Sequence, residues 1–256
     1  MTEESRQIEI EIEVPGTAEE VWRAIATGPG ITSWYVPHTI EGKQDGKATF
    51  SFGPGMDGEG RVTVWEPPHR FKLEGAEPGE GLAFEWTVQA RDEGTCVVRL
   101  VNSGFGDGNE WDAQYDAMTN GWSIFLTNLR LHLEYFSPLA ATASLPMAVW
   151  GKTLDDAWAH LTDHLDIPAE VAAGDRITVS GVGAPHLSGV VVKASKGWYA
   201  LLIDAPASGT GFISAEAHGD MTAVSIWTYL YNDEGKAASA GAEAIWRDWL
   251  ETKGAL

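Results

Sequence analysis

From Trp111 to Phe136 the large apolar residues Trp111, Tyr115, Met118, Trp122, Phe125, Leu129, Leu133 and Phe136 recur at steps of three or four. This spacing predicts one long amphipathic helix over residues 110–136, and it follows a stretch with a different period. Between Ile40 and Asn102 the apolar residues alternate instead, in runs separated by Asp45-Gly46, Pro54-Gly55, Asp57-Gly58, Pro67-Pro68, Pro78-Gly79 and Glu93-Gly94. Such runs read as an antiparallel meander of strands, with Leu82, Phe84, Trp86 and Val88 on one face of one strand and Cys96, Val98, Leu100 and Asn102 on one face of the next. The helix also carries a thinner second stripe, Ala113, Ala117, Ile124, Leu131 and Tyr135. That stripe calls for a cover, either the later half of the chain docked on it or a second copy of the chain in a homodimer.

Upstream, Ile8, Ile10, Ile12 and Val14 alternate with glutamates, the pattern of a half-buried strand that Pro15-Gly16 ends. Thr17 and Glu20 form a capping box ahead of Val21, Trp22 and Ile25, so a short helix follows; Gly28-Pro29-Gly30 stops it, and a second short turn carries Ile31 to Tyr35.

Residues 137–146 are small and proline-containing, which marks a linker between a domain at 1–138 and a smaller one at 139–256. The later part reads as a degenerate copy of the first. Thr153, Asp155, Asp156, Trp158 and Leu161 repeat Thr17, Glu19, Glu20, Trp22 and Ile25, and Trp246, Trp249 and Leu250 repeat the spacing of Trp122, Phe125 and Leu126. Strand-like runs lie between them at 176–179, 190–194, 198–203, 211–215 and 221–231.

The composition excludes several partners. A formal net charge of −20, with no basic run, makes nucleic acid and anionic membrane surfaces poor ones. The lone Cys96 allows no intrachain disulfide and no cysteine-based zinc site, which fits a reducing cytoplasm. Residues 1–14 are acidic and alternating rather than a signal peptide, and no stretch approaches the length of a membrane span, so the expected location is cytoplasmic.

A strand, a short helix pair, a six-strand meander and a long helix make a helix-grip order, an α+β fold in which an antiparallel sheet wraps the long C-terminal helix, here followed by the shorter α+β unit. Residues about 7–136 resemble the SRPBCC (START-like) superfamily, in the AHSA1-like branch named for the Hsp90 ATPase activator. The resemblance rests on Pro15-Gly16-Thr17 leading to Glu20 and Trp22, on Ile31 to Trp34, on Gly58, Gly60 and Trp65-Glu66-Pro67-Pro68-His69-Arg70-Phe71, and on Gly121-Trp122 leading to Leu126 and Leu129. It implies an apolar cavity between sheet and helix and the binding of a small hydrophobic ligand, a cyclase-like, hydrolase-like or dehydratase-like reaction, or a chaperone-associated interaction module.

The residues expected around the ligand are Trp34, Tyr35, Phe50, Phe52, Phe84, Trp86, Tyr115, Met118 and Trp122, because aromatic rings bury planar apolar molecules. The reading is binding of a hydrophobic or aromatic small molecule without catalysis, cofactor or metal. Polar groups that could reach the same space are His38, His69, Arg61, Asn102 and Glu110, with the two histidines expected in solvated loops and Arg61 paired with Asp57 or Glu59. His160 and His164 have the i, i+4 spacing of a zinc helix but lack its glutamate and fall off the apolar stripe of Leu154, Trp158, Leu161 and Leu165, so they read as a solvent-facing pair. Glycines 53–58 lie between strands, the context of a hairpin and not of a nucleotide loop. Cys96 reads as a buried, inert thiol.

Overall fold

The alternation of isoleucine and glutamate gives β1 (Ile8–Pro15), whose Ile8 and Val14 are buried while Glu9, Glu11 and Glu13 face out. The computed structural model describes residues 6–53, 55–75, 81–91, 94–106, 109–168 and 170–255, without the side chains of residues 109, 110, 113 and 117. The chain divides into two units, Met1–Ala140 and Ala141–Leu256. Pro54, Pro78, Gly79 and Glu93, from the expected turns, lie outside the described residues.

In the first unit α1 (Ala18–Ala26) starts at the capping box: Thr17 Oγ1 accepts from the Glu20 amide at 3.3 Å and Glu20 accepts from the Thr17 amide at 2.8 Å. Gly28-Pro29-Gly30 does more than stop this helix. It begins α2 (Gly28–Thr32), because Thr27 Oγ1 caps the Gly30 amide at 3.1 Å while donating to the Arg23 carbonyl at 2.7 Å. The meander then runs through β2 (His38–Ile40), β3 (Lys47–Ser51), β4 (Asp57–Glu66), β5 (Arg70–Gly75), β6 (Ala83–Ala90) and β7 (Thr95–Ser103) into α3 (Asn109–Tyr135). The seven strands form one antiparallel sheet in the order β1-β7-β6-β5-β4-β3-β2. Register sets one inward row across it, Leu73 opposite Phe84 opposite Asn102 and Phe71 opposite Trp86 opposite Leu100. Helix α3 lays Trp122 on this row, with its ring 5.7 Å from Trp86 and 6.0 Å from Phe84. This is the helix-grip arrangement.

Asp57-Gly58 is not a turn. It opens β4, with Gly58 opposite Phe50 of β3, and a Cβ on Gly58 would lie 2.2 Å from Phe50 Cζ, so the glycine is what lets the Phe50 ring lie across the neighbouring strand. On the second stripe of α3, Ile124 and Leu131 are buried and Tyr135 is 51% exposed; the side chains of Ala113 and Ala117 are outside the described residues.

The second unit repeats the same order. It runs β8 (Ala141–Ser144), β9 (Met147–Trp150), α4 (Leu154–His164), β10 (Arg176–Thr178), β11 (Ser188–Ser195), β12 (Trp198–Ala205), β13 (Gly209–His218), β14 (Met221–Tyr231), α5 (Asn232–Ser239) and α6 (Ala242–Gly254). Its sheet order is β10-β11-β12-β13-β14-β8, with β9 also on β14, so a first strand again pairs the last and a meander with one strand fewer follows. The linker expected at 137–146 therefore contains a strand, β8, paired through Ser144 with Thr228. Thr153 caps α4 as Thr17 caps α1. His160 and His164 are half-buried rather than solvent-facing: His160 Nε2 lies 3.0 Å from the Lys253 carbonyl of α6, and its ring meets the edge of Trp150. Among the described residues no helix is long and apolar enough to cross a membrane.

Candidate functional site

Between the inward row of the first sheet and α3 lies a cavity of about 540 Å³, within the size range of small-molecule sites. Three elements shape it. The sheet supplies Phe84 and Trp86 from β6, Leu73 from β5, the glycine stretch of β4 and Ala48 with Phe50 from β3; the segment after α2 supplies Tyr35; helix α3 supplies Trp111, Gln114, Met118 and Trp122. Phe52 completes the rim beside Tyr35, its ring 5.8 Å away.

The expected residues divide accordingly. Tyr35, Phe50, Phe52, Phe84, Trp86, Met118 and Trp122 line the cavity, whereas Trp34 and Tyr115 do not. Trp34 is fully buried behind Tyr35, donates Nε1–H to the Ala24 carbonyl at 2.9 Å and meets Trp86 edge-on, which makes it a brace for α1 and not a contact surface. Tyr115 donates to the Gln7 carbonyl at 3.2 Å, stacks under the Arg6 guanidinium and packs on Phe105, tying the start of α3 to the start of β1.

Of the polar candidates, His38 lines the cavity, contrary to its expected place in a solvated loop. Its ring lies 5.7 Å from Phe50 and 5.4 Å from Tyr35, and burial pulls its pKa down to about 4 against the opposing pull of the Val36 carbonyl hydrogen bond. His69 is exposed, as expected. Arg61 is exposed and stands opposite Lys47 and Glu74 in the register, with no ion pair to Asp57 or Glu59 among the described residues. Asn102 is fully buried beneath the cavity; its amide donates to the Ala83 carbonyl at 3.1 Å and its oxygen accepts a long 3.5 Å contact from Trp122 Nε1. The side chain of Glu110 is outside the described residues. Glu59 and Glu74 touch the cavity but alternate with the inward residues, so the pleat turns their carboxylates to the opposite face, where Glu74 pairs with Lys72 Nζ at 2.6 Å.

No lysine or arginine lines the cavity among the described residues, and no cluster of three potential metal ligands occurs among them. Cys96 is buried in β7, its thiol pKa pushed up first by burial and then by Glu19 and Glu20, which suits a packing role.

A meander gripping one long helix, with a partly open and largely apolar cavity between them, defines a helix-grip fold. Residues 15–134, within the first unit, match the family described as Activator of Hsp90 ATPase homolog 1-like protein. No curated protein matches the chain. Among solved structures, protein MLL2253 of Mesorhizobium loti is 19% identical over 52% of this chain and 99% of its own, with a TM-score of 0.45. The Aha1 dimer of Colwellia psychrerythraea is 20% identical over 52% and 98%, with a TM-score of 0.44. The di-domain ARO/CYC BexL of the BE-7585A biosynthetic pathway is 19% identical over 97% and 93%, with a TM-score of 0.43.

Proposed function

We propose that the first unit binds a hydrophobic or aromatic small molecule in its cavity, without catalysing a reaction on it. The observation that carries this reading is the cavity wall itself: rings from β3, β6, α3 and the segment after α2 face a partly open space of about 540 Å³ that the side chains leave unfilled. An apolar void of this size forfeits packing around its whole lining, so an apolar molecule that enters restores those contacts and leaves water at the same time. The ionisable carboxylates nearest the space point away from it, which leaves burial rather than charge as the driving force.

Titration with N-phenyl-1-naphthylamine, a neutral dye that brightens in apolar surroundings, tests this. One dye per chain is expected, and Met118→Trp, which puts a large ring into the space from α3, should abolish the signal while leaving the melting temperature unchanged or higher. Undiminished binding by the filled variant would place the dye elsewhere and overturn the proposal. Native mass spectrometry of freshly purified protein is expected to show a retained small molecule that Met118→Trp loses.

A further inference from the structure

His38 is held in a way that the cavity's packing does not require. Its backbone N–H donates to Thr32 Oγ1 at 3.0 Å, which fixes where β2 begins. Its Nδ1 lies 2.7 Å from the Val36 carbonyl. A carbonyl can only accept, so the proton of the neutral imidazole resides on Nδ1, and Nε2 keeps a bare lone pair. Phe50 lies nearly parallel to the imidazole at 25° and Tyr35 flanks it at 36°, so the ring cannot turn to another partner without breaking both packings. Among the described residues nothing hydrogen-bonds to Nε2.

The phenol of Tyr35 is in a similar position. Tyr35 lines the same end of the cavity, is 8% exposed, and its hydroxyl makes no hydrogen bond among the described residues. Burial holds this phenol well above its ordinary pKa, so it stays protonated, and burial likewise keeps His38 neutral at physiological pH. Two neutral polar side chains, one with a fixed acceptor and one with a hydroxyl, thus sit side by side in a mostly apolar lining, to which α3 adds the exposed Gln114.

Apart from Gln114, which is exposed on α3, the other polar groups nearby are already committed. Asn102 and the indole N–H of Trp122 are engaged with each other and with the Ala83 carbonyl, and the carboxylates of Glu59 and Glu74 lie on the far face of the sheet. A ligand carboxylate would meet the Nε2 lone pair with no cation to offset the repulsion, since no lysine or arginine lines the space among the described residues. A purely apolar ligand would leave the acceptor desolvated and unpaired.

We infer that His38 is the specificity-determining hydrogen-bond acceptor of this cavity, and that its ligand is a neutral, largely apolar molecule bearing a hydroxyl or N–H donor, aimed at Nε2 beside the Tyr35 hydroxyl. This inference rests on the binding role proposed above. It selects alcohols, phenols and neutral N–H compounds over fatty acids and other carboxylates of equal size.

Three probes that share one ring system separate the possibilities: 2-naphthol, 2-methoxynaphthalene and naphthalene-2-carboxylate, each titrated at pH 7.5 by quenching of tryptophan fluorescence. One neutral hydrogen bond corresponds to about a 5- to 10-fold preference for the naphthol over its methyl ether. The carboxylate is expected to bind at least roughly tenfold more weakly than the naphthol, because its charge is buried without a partner. In His38→Phe, which keeps a flat ring between Phe50 and Tyr35, naphthol and ether should bind within about twofold of each other. Equal wild-type affinities for naphthol and ether, a preference that survives in His38→Phe, or tight binding of the carboxylate would each overturn the inference while leaving the cavity's binding role intact. Failure of both neutral probes to bind would overturn the binding role as well. Should His38→Phe not fold, nitrogen-15 resonances of the histidine ring in the wild type decide: Nε2 of His38 should shift on adding naphthol and stay in place on adding the ether.

Discussion

His38 and His132 are both imidazoles that burial keeps neutral, each with a pKa drawn down from 6.5 to about 4. In the unfolded chain both take up a proton near the ordinary value, whereas in the folded chain they resist until about pH 4. The unfolded state therefore binds more protons between these limits, and folding stability falls as the pH falls through that window. Above about pH 7 neither group contributes a slope, and below about pH 4 their contribution is complete. A displacement of this size corresponds to roughly 3 kcal/mol for a fully buried ring, and somewhat less for the partly exposed His38. Urea midpoints measured at pH 7.5, 5.5 and 4.5 should fall steadily, and the double variant His38→Gln with His132→Gln should show a visibly shallower decline. An equal slope in the variant would assign the acid sensitivity to other groups. The same residues mark the limit of what was legible at this scale. Trp34 and Tyr35 are adjacent aromatics of equal standing in the sequence, yet one braces α1 and the other lines the cavity, because the chain leaves α2 there with no fixed period to tell the two directions apart. His38 next to Pro37 looked like a loop histidine, and only the pairing of β2 with β3 turns it inward.

Elements with a single strong period were legible and those defined by packing were not. The eight-residue alternation of β1, the capping box of α1 and the long stripe of α3 each carry their own signal, and the structure has all three. Strands β8 and β9 are four residues each in a small-residue stretch, too short to display alternation, and they exist because β14 offers them partners. Gly58 is the instructive case, since Asp57-Gly58 has the composition of a turn but the glycine is used inside β4 to admit the Phe50 ring. This yields a prediction about the element pair β3–β4. In Gly58→Ala the new methyl cannot coexist with the ring in its present place, so Phe50 must swing into the cavity, at a cost of about 1–3 kcal/mol in stability. Dye affinity should drop with it. Adding Phe50→Leu removes the clash and the obstruction together, so the double variant should regain both stability and binding relative to Gly58→Ala alone. A Gly58→Ala protein that binds the dye as the wild type does would show that the ring does not govern access to the space.

At the scale of the whole chain, two units with one topology have put the same interior to different uses. In the first, α3 is 27 residues long and its Trp122 borders an open space. In the second, α6 is 13 residues long, and Trp246, Trp249 and Leu250 join Trp150, Leu161, Tyr199 and Ile213 in one continuous buried cluster. The indoles there are tied to the backbone, Trp150 Nε1 to the Leu250 carbonyl at 3.0 Å and Trp249 Nε1 to the Val182 carbonyl at 3.2 Å, so they are fixtures of a filled core. The hollow around Glu170, Asp175 and Lys196 in that unit is an open polar depression and not an apolar pocket. Trp122 and Trp246 share a spacing in the sequence but border an open space in one unit and a filled core in the other, and their truncations should consequently differ in kind. Trp246→Ala opens a void in a packed core and is expected to cost about 3–5 kcal/mol while leaving dye affinity per folded chain unchanged. Trp122→Ala removes a wall of the cavity, so it should cost less stability than Trp246→Ala and weaken the dye at a temperature where the variant is fully folded. Thermal melts paired with titrations on both variants measure this. Two dyes per wild-type chain, or loss of binding in folded Trp246→Ala, would contradict the division of labour between a hollow unit and a filled one.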